Sequence, residues 1–158
     1  MKICLECAEG GHLDEILGIM DAFIGHEIFF VTGKAPTTEK LSGKYKVYYV
    51  RGQSNIREKW MVFFREFVMM FKLTLVSFIL LVKERPKIIL STGGGATIPL
   101  CYIGKLLGVK IVYMESMARV KKISGTGKII YPIADLFLVQ WKSLLTRYKK
   151  AKFWGSVI

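Results

Sequence analysis

Apolar residues fall along this chain in short unbroken runs, alternating with longer stretches of helical period. The run KICLECA (2–8) reads as a strand. A Gly-Gly turn then opens a helix with Leu13, Ile16, Leu17, Met20 and Phe23 on one face. EIFFVT (27–32) is a second strand, followed by a polar, Gly- and Lys-rich loop to Tyr45, and VYYV (47–50) is a third. After the loop RGQSN, a long helical segment runs from about Arg57 to Glu84 and is stopped by Pro86. KIIL (87–90) is the fourth strand. STGGG and a helix from about Thr97 to Leu107 follow, with Pro99 tolerated in the first turn. KIVYM (110–114) and LFLVQ (136–140) are strands five and six, and a last helix, Lys142 to Tyr148, precedes FWGSVI.

Strands that are apolar throughout and alternate with helices argue for a parallel sheet covered on both faces. The expected architecture is α/β: one Rossmann-like, doubly wound domain over residues 1–158, with strand order 3-2-1-4-5-6. Such sheets bind ligands beyond the carboxyl ends of the strands, where strand order reverses, here between strands one and four. The segments leaving those strands are Glu9-Gly10-Gly11-His12 and Ser91-Thr92-Gly93-Gly94-Gly95, the second leading to Thr97. Two glycine turns that feed helix starts suit a phosphate or diphosphate. Neither a G-x-G-x-x-G after the first strand nor a closing GK[ST] is present, so the dinucleotide and P-loop signatures are missing. Glu115, Ser116 and Arg119, then Gln140 and Trp141, fall on the same rim.

His12 opens the first helix. It is either a solvent-facing residue or a functional one, a general base or a hydrogen-bond partner for the acceptor of a reaction, whose pKa the helix N-terminus would lower to keep it neutral. Glu115 is either a base or the ion-pair partner of Arg119. In the long segment, WMVFFREFVMMFKLTLVSFILLV (60–82) contains only Arg65, Glu66 and Lys72 as charges. Lys72 interrupts a span of the required length. The expectation is a helix lying in a membrane interface through Trp60, Phe63, Phe67, Phe71 and Lys72.

Composition sharpens this last point. A net charge of +12 with a mean hydropathy of +0.36 is basic enough for nucleic acid but too apolar for most of its binders. No aromatic-basic RNP pattern or recognition-helix cue supports nucleic-acid binding, and an anionic membrane surface fits better. The three cysteines are odd in number and sparse, so no disulfide framework is expected. Cys4 and Cys7 read as strand residues facing opposite ways. No secretory leader is expected, since Glu6 and Glu9 break any apolar core for one.

EGGHLDEIL (9–17), STGGGATIPLCYIGKLLG (91–108), YMESMARVKKISGTGKIIYPIAD (113–135) and LVQW (138–141) resemble the Alg-fourteen family. That family is the acceptor-side subunit of a two-subunit UDP-N-acetylglucosamine transferase. More distantly, these stretches resemble the N-terminal half of MurG-type enzymes. The resemblance implies half of a GT-B glycosyltransferase that binds a lipid-pyrophosphate acceptor at the cytoplasmic face of a membrane. That membrane would be the plasma membrane in a prokaryote and otherwise the endoplasmic reticulum, with peripheral or monotopic attachment. An Alg-thirteen-like partner would hold the UDP-sugar, a co-substrate, with no cofactor and no metal. The chemistry implied is inverting, metal-independent and dependent on both subunits. Carried over, Gly10, Gly11 and His12 match the first glycine loop, with His12 or Glu115 as base. Ser91, Thr92, Gly93, Gly94, Gly95 and Thr97 match the second loop and would bind the acceptor pyrophosphate. Glu115, Ser116 and Arg119 match the ESxAR block and would shape the acceptor site. The alternative is a non-catalytic membrane recruiter of a partner that owns all the chemistry.

Overall fold

The structure, a computed structural model, describes residues 1–50 and 59–157, and the side chains of all of these except 59–67. Seven strands form one parallel sheet in the order β3-β2-β1-β4-β5-β6-β7. They are β1 (Lys2–Cys7), β2 (Glu27–Thr32), β3 (Lys46–Tyr49), β4 (Ile88–Gly93), β5 (Lys110–Met114), β6 (Leu136–Leu138) and β7 (Ala151–Lys152). The expected doubly wound order holds, with β7 added beyond β6. The reversal lies between β1 and β4, where the pairing runs Ile3–Ile88 to Glu6–Ser91 and then slips, so that Cys7 meets Gly93. Thr92 is the extra residue of this bulge, which bends the end of β4 as bulges do.

The helices are α1 (Gly11–Leu17), the short α2 (Pro36–Glu39), α3 (Lys59–Glu84), α4 (Thr97–Leu106) and α5 (Gly125–Ile130). α1 is shorter than its apolar period predicts. It stops at Gly18, Leu17 is exposed, and Met20–Phe23 form a separate 3-10 turn. The glycine is the reason: a Cβ at Gly18 would meet Val157 Cγ1 at 2.5 Å, so the C-terminal segment crosses there. The polar loop before β3 contains α2 and the 3-10 turn Lys40–Gly43, and the expected last helix is a 3-10 turn, Lys142–Thr146. α3 agrees with the predicted long helix from Lys59 onward; Arg57 lies outside the described residues.

Two apolar layers result. Leu13 and Ile16 of α1 pack with Leu5, Cys7, Phe30 and Leu90 on one face of the sheet. Leu73, Leu80 and Leu81 of α3 pack with Leu100 and Cys101 of α4 against Cys4, Phe29, Ile89 and Ile111 on the other. Cys4 and Cys7 therefore lie in different layers, as strand alternation requires, and all three thiols are free and buried. α3 buries Leu73, Ser77, Leu80, Leu81 and Glu84 and turns Phe71, Leu75, Phe78, Ile79 and Val82 outward. Its 26 residues span about 39 Å at 1.5 Å each, roughly twice the length of a six-residue strand.

At the amino edge of the sheet, Glu84 closes α3 against β1 and β3. Its carboxylate accepts from Lys46 Nζ at 2.7 Å, from Lys2 Nζ at 3.0 Å and from the Tyr48 hydroxyl. Burial alone would raise this carboxyl; the bonds from Lys46, Tyr48 and Lys2 outweigh it and hold the pKa at about 2. A depressed carboxyl stabilises the fold above its unfolded pKa of 4.5 and loses that contribution as pH falls toward 2. Glu84→Gln is therefore expected to cost about 1.5–3 kcal/mol at neutral pH. In urea titrations the gap to the unaltered protein should close between pH 4.5 and 2. A gap independent of pH would refute this account.

Candidate functional site

The site begins with a carboxylate inside the sheet. Glu6 is 1% exposed, in a strand whose other buried side chains, Ile3, Cys4, Leu5 and Cys7, are apolar. A buried carboxylate must be hydrogen-bonded, and here its partners come from the loop after β4. Oε2 accepts from Thr97 Oγ1 at 2.7 Å and from the hydroxyl of Ser91, its register partner on β4 just before the bulge. Burial pushes the Glu6 carboxyl up, and the Ser91 and Thr97 hydroxyls oppose that rise. The Ser91 oxygen also accepts from Gly93 N at 3.1 Å, and Thr92 donates to His12 O at 3.0 Å. Ser91, Thr92 and Thr97 are all fully buried, so their hydroxyls hold the loop rather than face outward.

Two of the three glycines are required by this packing. Gly93 has φ +106° and lies beneath the His12 ring, with the ideal Cβ position 3.5 Å from Cε1. A Cβ on Gly94 would fall 2.5 Å from Glu6 Oε1 and 2.8 Å from Ala8 N. The loop thus lies flat against the end of β1, and the amides of Gly94 and Gly95 have no acceptor among the described residues.

Gly93, Gly94 and Gly95 line a cavity of about 680 Å³ at the carboxyl edge of the sheet. His12, Ala8 and Glu9 form one wall, and Tyr113, Glu115, Ser116 and Arg119 the opposite one, completed by Ser124, Gly125 and Thr126 at the start of α5. The sequence-predicted His12, Gly93–Gly95, Glu115, Ser116 and Arg119 are thereby brought together. Gly10 and Gly11 stand outside this lining: Gly10, at φ +81°, turns the chain into α1.

His12 is half-buried. Its Nδ1 lies 3.6 Å from Glu15 Oε2, beyond a hydrogen bond but within reach of the charge. Glu15 raises the imidazole pKa, burial opposes, and Glu6 and Glu115 add to the rise. This corrects the expectation of a value lowered by the helix N-terminus: three carboxylates outweigh the dipole of a seven-residue helix. Nε2 has no partner among the described residues and belongs to a side chain that lines the cavity.

Glu115 forms no ion pair with Arg119 among the described residues. Instead it binds its own loop, accepting from Ser124 N at 2.8 Å, Ser124 Oγ at 3.1 Å and Ser116 N at 3.1 Å. Ser124 in turn caps α5 by accepting from Gly127 N at 2.9 Å. Gly127 must be glycine, because a Cβ would lie 2.3 Å from Glu115 Oε2. Arg119 is exposed and free to meet a ligand. Gln140 Nε2 donates to Glu115 O at 3.2 Å, and Trp141 Nε1 to Met117 O at 2.6 Å, so both support the wall from behind.

Sequence reasoning missed Glu6, Glu15 and the Ser124–Gly127 turn. The signals were present: an acid inside an apolar parallel strand, an acid three residues after His12 on the buried face of α1, and S-G-T-G before an apolar run.

Of the expected membrane residues, Phe71 and Lys72 are exposed on α3; the side chains of Trp60, Phe63 and Phe67 lie outside the described residues. Phe71, Leu75 and Phe78 form an apolar groove of about 300 Å³ with Ile103, Leu106 and Leu107 at the end of α4. Among the described residues no helix is long and apolar enough to cross a membrane.

Residues 7–157 match the family described as "Oligosaccharide biosynthesis protein Alg14 like". The UDP-N-acetylglucosamine transferase subunit ALG14 of Candida albicans is 44% identical over 90 residues, 53% of this chain and 41% of that protein. The Mus musculus protein of the same name is 27% identical over 186 aligned positions, covering 100% of this chain and 83% of that one. Acinetobacter baumannii MurG shares the fold at TM-score 0.67 and 18% identity, covering 90% of this chain and 43% of that chain. UDP-GlcNAc 2-epimerase from Methanocaldococcus jannaschii does so at 0.69 and 13%, covering 99% and 46%. The chain thus spans less than half the length of the fungal relative and of both solved structures.

The packing under the glycine loop makes a contrast in stability. Gly94→Ala is expected to destabilise by about 1–3 kcal/mol, since its methyl would meet Glu6 and the β1 backbone. Gly11→Ala, with nothing within 4 Å, should change stability by less than about 1 kcal/mol. Equal melting temperatures for the two variants would contradict this.

Proposed function

The chain belongs to the Alg14-like oligosaccharide biosynthesis family, and from that premise we propose that it is the acceptor-binding, membrane-associated subunit of a UDP-N-acetylglucosamine transferase acting on a lipid-pyrophosphate-linked saccharide. A second, donor-binding subunit holds the UDP-sugar, and the pair works at the cytoplasmic face of a membrane. The names of the curated relatives support the donor sugar and the word subunit. The observation that carries the reading is the cavity at the switch point. It sets a histidine backed by a carboxylate beside glycine amides and an arginine that have no partner among the described residues, within a fold that corresponds to under half of MurG.

In this reading Gly94 and Gly95 amides and Arg119 receive the acceptor pyrophosphate, neutralising it by hydrogen bonds and charge. Nε2 of His12 takes the proton of the acceptor hydroxyl as its oxygen attacks the anomeric carbon. The bond from that carbon to UDP breaks, and UDP departs with the electron pair, so the configuration inverts without a metal. Glu115, engaged by three donors, keeps the opposite wall in shape. The outward apolar side of α3 and the end of α4, with Lys72, Lys83 and Lys105 exposed nearby, lie on the membrane surface.

With the donor-binding partner present, His12→Ala is expected to lower kcat about 10²–10⁴-fold while the two proteins still co-purify. Full kcat in that complex would leave this chain a recruiter only. Because the base must be neutral and its pKa is raised above 6.5, kcat/KM should fall as pH drops through that raised value.

The membrane contact has its own test. Phe71→Glu combined with Leu106→Glu should release the protein from anionic vesicles in a flotation assay. Unchanged flotation would show that the α3–α4 face is not the contact.

A further inference from the structure

One carboxylate touches both walls of the cavity. Glu15 on α1 is 2% exposed. Its Oε1 accepts from Ser116 Oγ at 2.9 Å and from Met117 N at 2.8 Å, which fixes the segment leading to Arg119. Its Oε2 faces His12 Nδ1 at 3.6 Å. Both of these atoms are buried, and neither has a hydrogen-bond partner among the described residues. Each is therefore the other's partner in waiting, at the length that such pairs show before a substrate tightens the site.

The chemistry of the pair decides which ring nitrogen is bare. A carboxylate only accepts, so the nitrogen facing it must carry the proton, and in the neutral ring Nε2 is then the acceptor. Among the described residues no other group around the ring is bonded to Nδ1. Glu6 on β1 gives Oε2 to Ser91 and Thr97 and has Oε1 against Gly94, and Glu115 at the end of β5 is engaged by Ser116 and Ser124. The Tyr113 hydroxyl of β5, beside Gly93, lies 3.3 Å from Ser124 Oγ, and Arg119 has no lone pair to offer.

We propose that Glu15 is the positioning residue of the transfer: it fixes the His12 tautomer that leaves Nε2 free to act as base, and ties that ring through the same carboxylate to the 116–119 segment bearing Arg119. The catalytic half of this inference rests on the reading of His12 as base; the tautomer does not.

Glu15→Gln separates the two roles. Its amide oxygen can still accept from Ser116 and Met117, but its NH₂ then faces Nδ1, which must become the acceptor and send the proton to Nε2. Ring-nitrogen NMR on the full chain reads this directly, with His26, the one other histidine, as an internal control. The unaltered chain is expected to carry its proton on Nδ1, the Gln variant on Nε2 with His12 titrating at lower pH. In the reconstituted complex kcat should fall about 10²–10⁴-fold with KM changed only a few-fold, as expected of a mis-tautomerised base. Glu15→Asp, which keeps the carboxylate, should restore the Nδ1–H form and part of kcat. An Nε2–H ring in the unaltered chain overturns the proposal without recourse to any variant, as does an unchanged tautomer in Glu15→Gln. A switched tautomer with unchanged kcat overturns both His12 as base and the part of Glu15 in catalysis.

Discussion

The site depends on the burial of Glu6 inside the sheet. Among the described residues nothing cationic is bonded to this carboxylate, and its solvation comes from the loop after β4, chiefly from the hydroxyls of Ser91 and Thr97. Ser91 is opposite Glu6 in the regular register of β1 and β4, and the slip that follows puts Gly93, not Thr92, opposite Cys7. Satisfying one buried acid therefore dictates how β4 ends, where α4 begins and how closely Gly94 approaches β1. A loop with three successive glycines would otherwise carry a large entropic penalty for order. The carboxylate supplies the ordering contacts that its own side chains cannot.

The same device appears on the other walls. Glu15 draws Ser116 and Met117 to α1, and Glu115 draws Ser124 to the end of β5. Three buried acids each fasten one loop through hydroxyls or amides, and Glu15 keeps its second oxygen for His12. The result is a cavity whose own carboxylates face into the scaffold, which leaves amides and Arg119 to meet an anion. Residual negative potential is felt where it is useful, at His12, whose affinity for a proton it raises.

Much of this was legible in the sequence, and the part that was not has a common cause. Parallel strands buried on both faces are apolar runs, so KIVYM and EIFFVT could be bounded to the residue. The reversal between β1 and β4 follows from connectivity and handedness, and with it the meeting of His12 and the glycine loop. By contrast, Glu6 and Glu15 looked like ordinary polar residues, because a buried acid and a solvated one are written with the same letter. Only the packing of Ser91, Thr97, Ser116 and Met117 around them separates the two. α5 was missed because six residues give barely a turn of periodicity. The two-residue β7 exists only by pairing with β6. His12 shows the limit in the other direction: the helix start was correctly placed, yet charges from three other positions outweighed its dipole.

The opposite siting of the cysteines gives the fold a built-in clock. Cys7 lies in the layer under α1, and Cys4 and Cys101 in the layer under α3 and α4, all three at most 1% exposed. Burial pushes the Cys7 thiol up to about 12 and raises those of Cys4 and Cys101 as well, so the closed protein is mute to thiol reagents. Each sulfur can be modified only after its own layer opens. The order in which the three are trapped thus records whether the two faces of the sheet come apart together or one at a time.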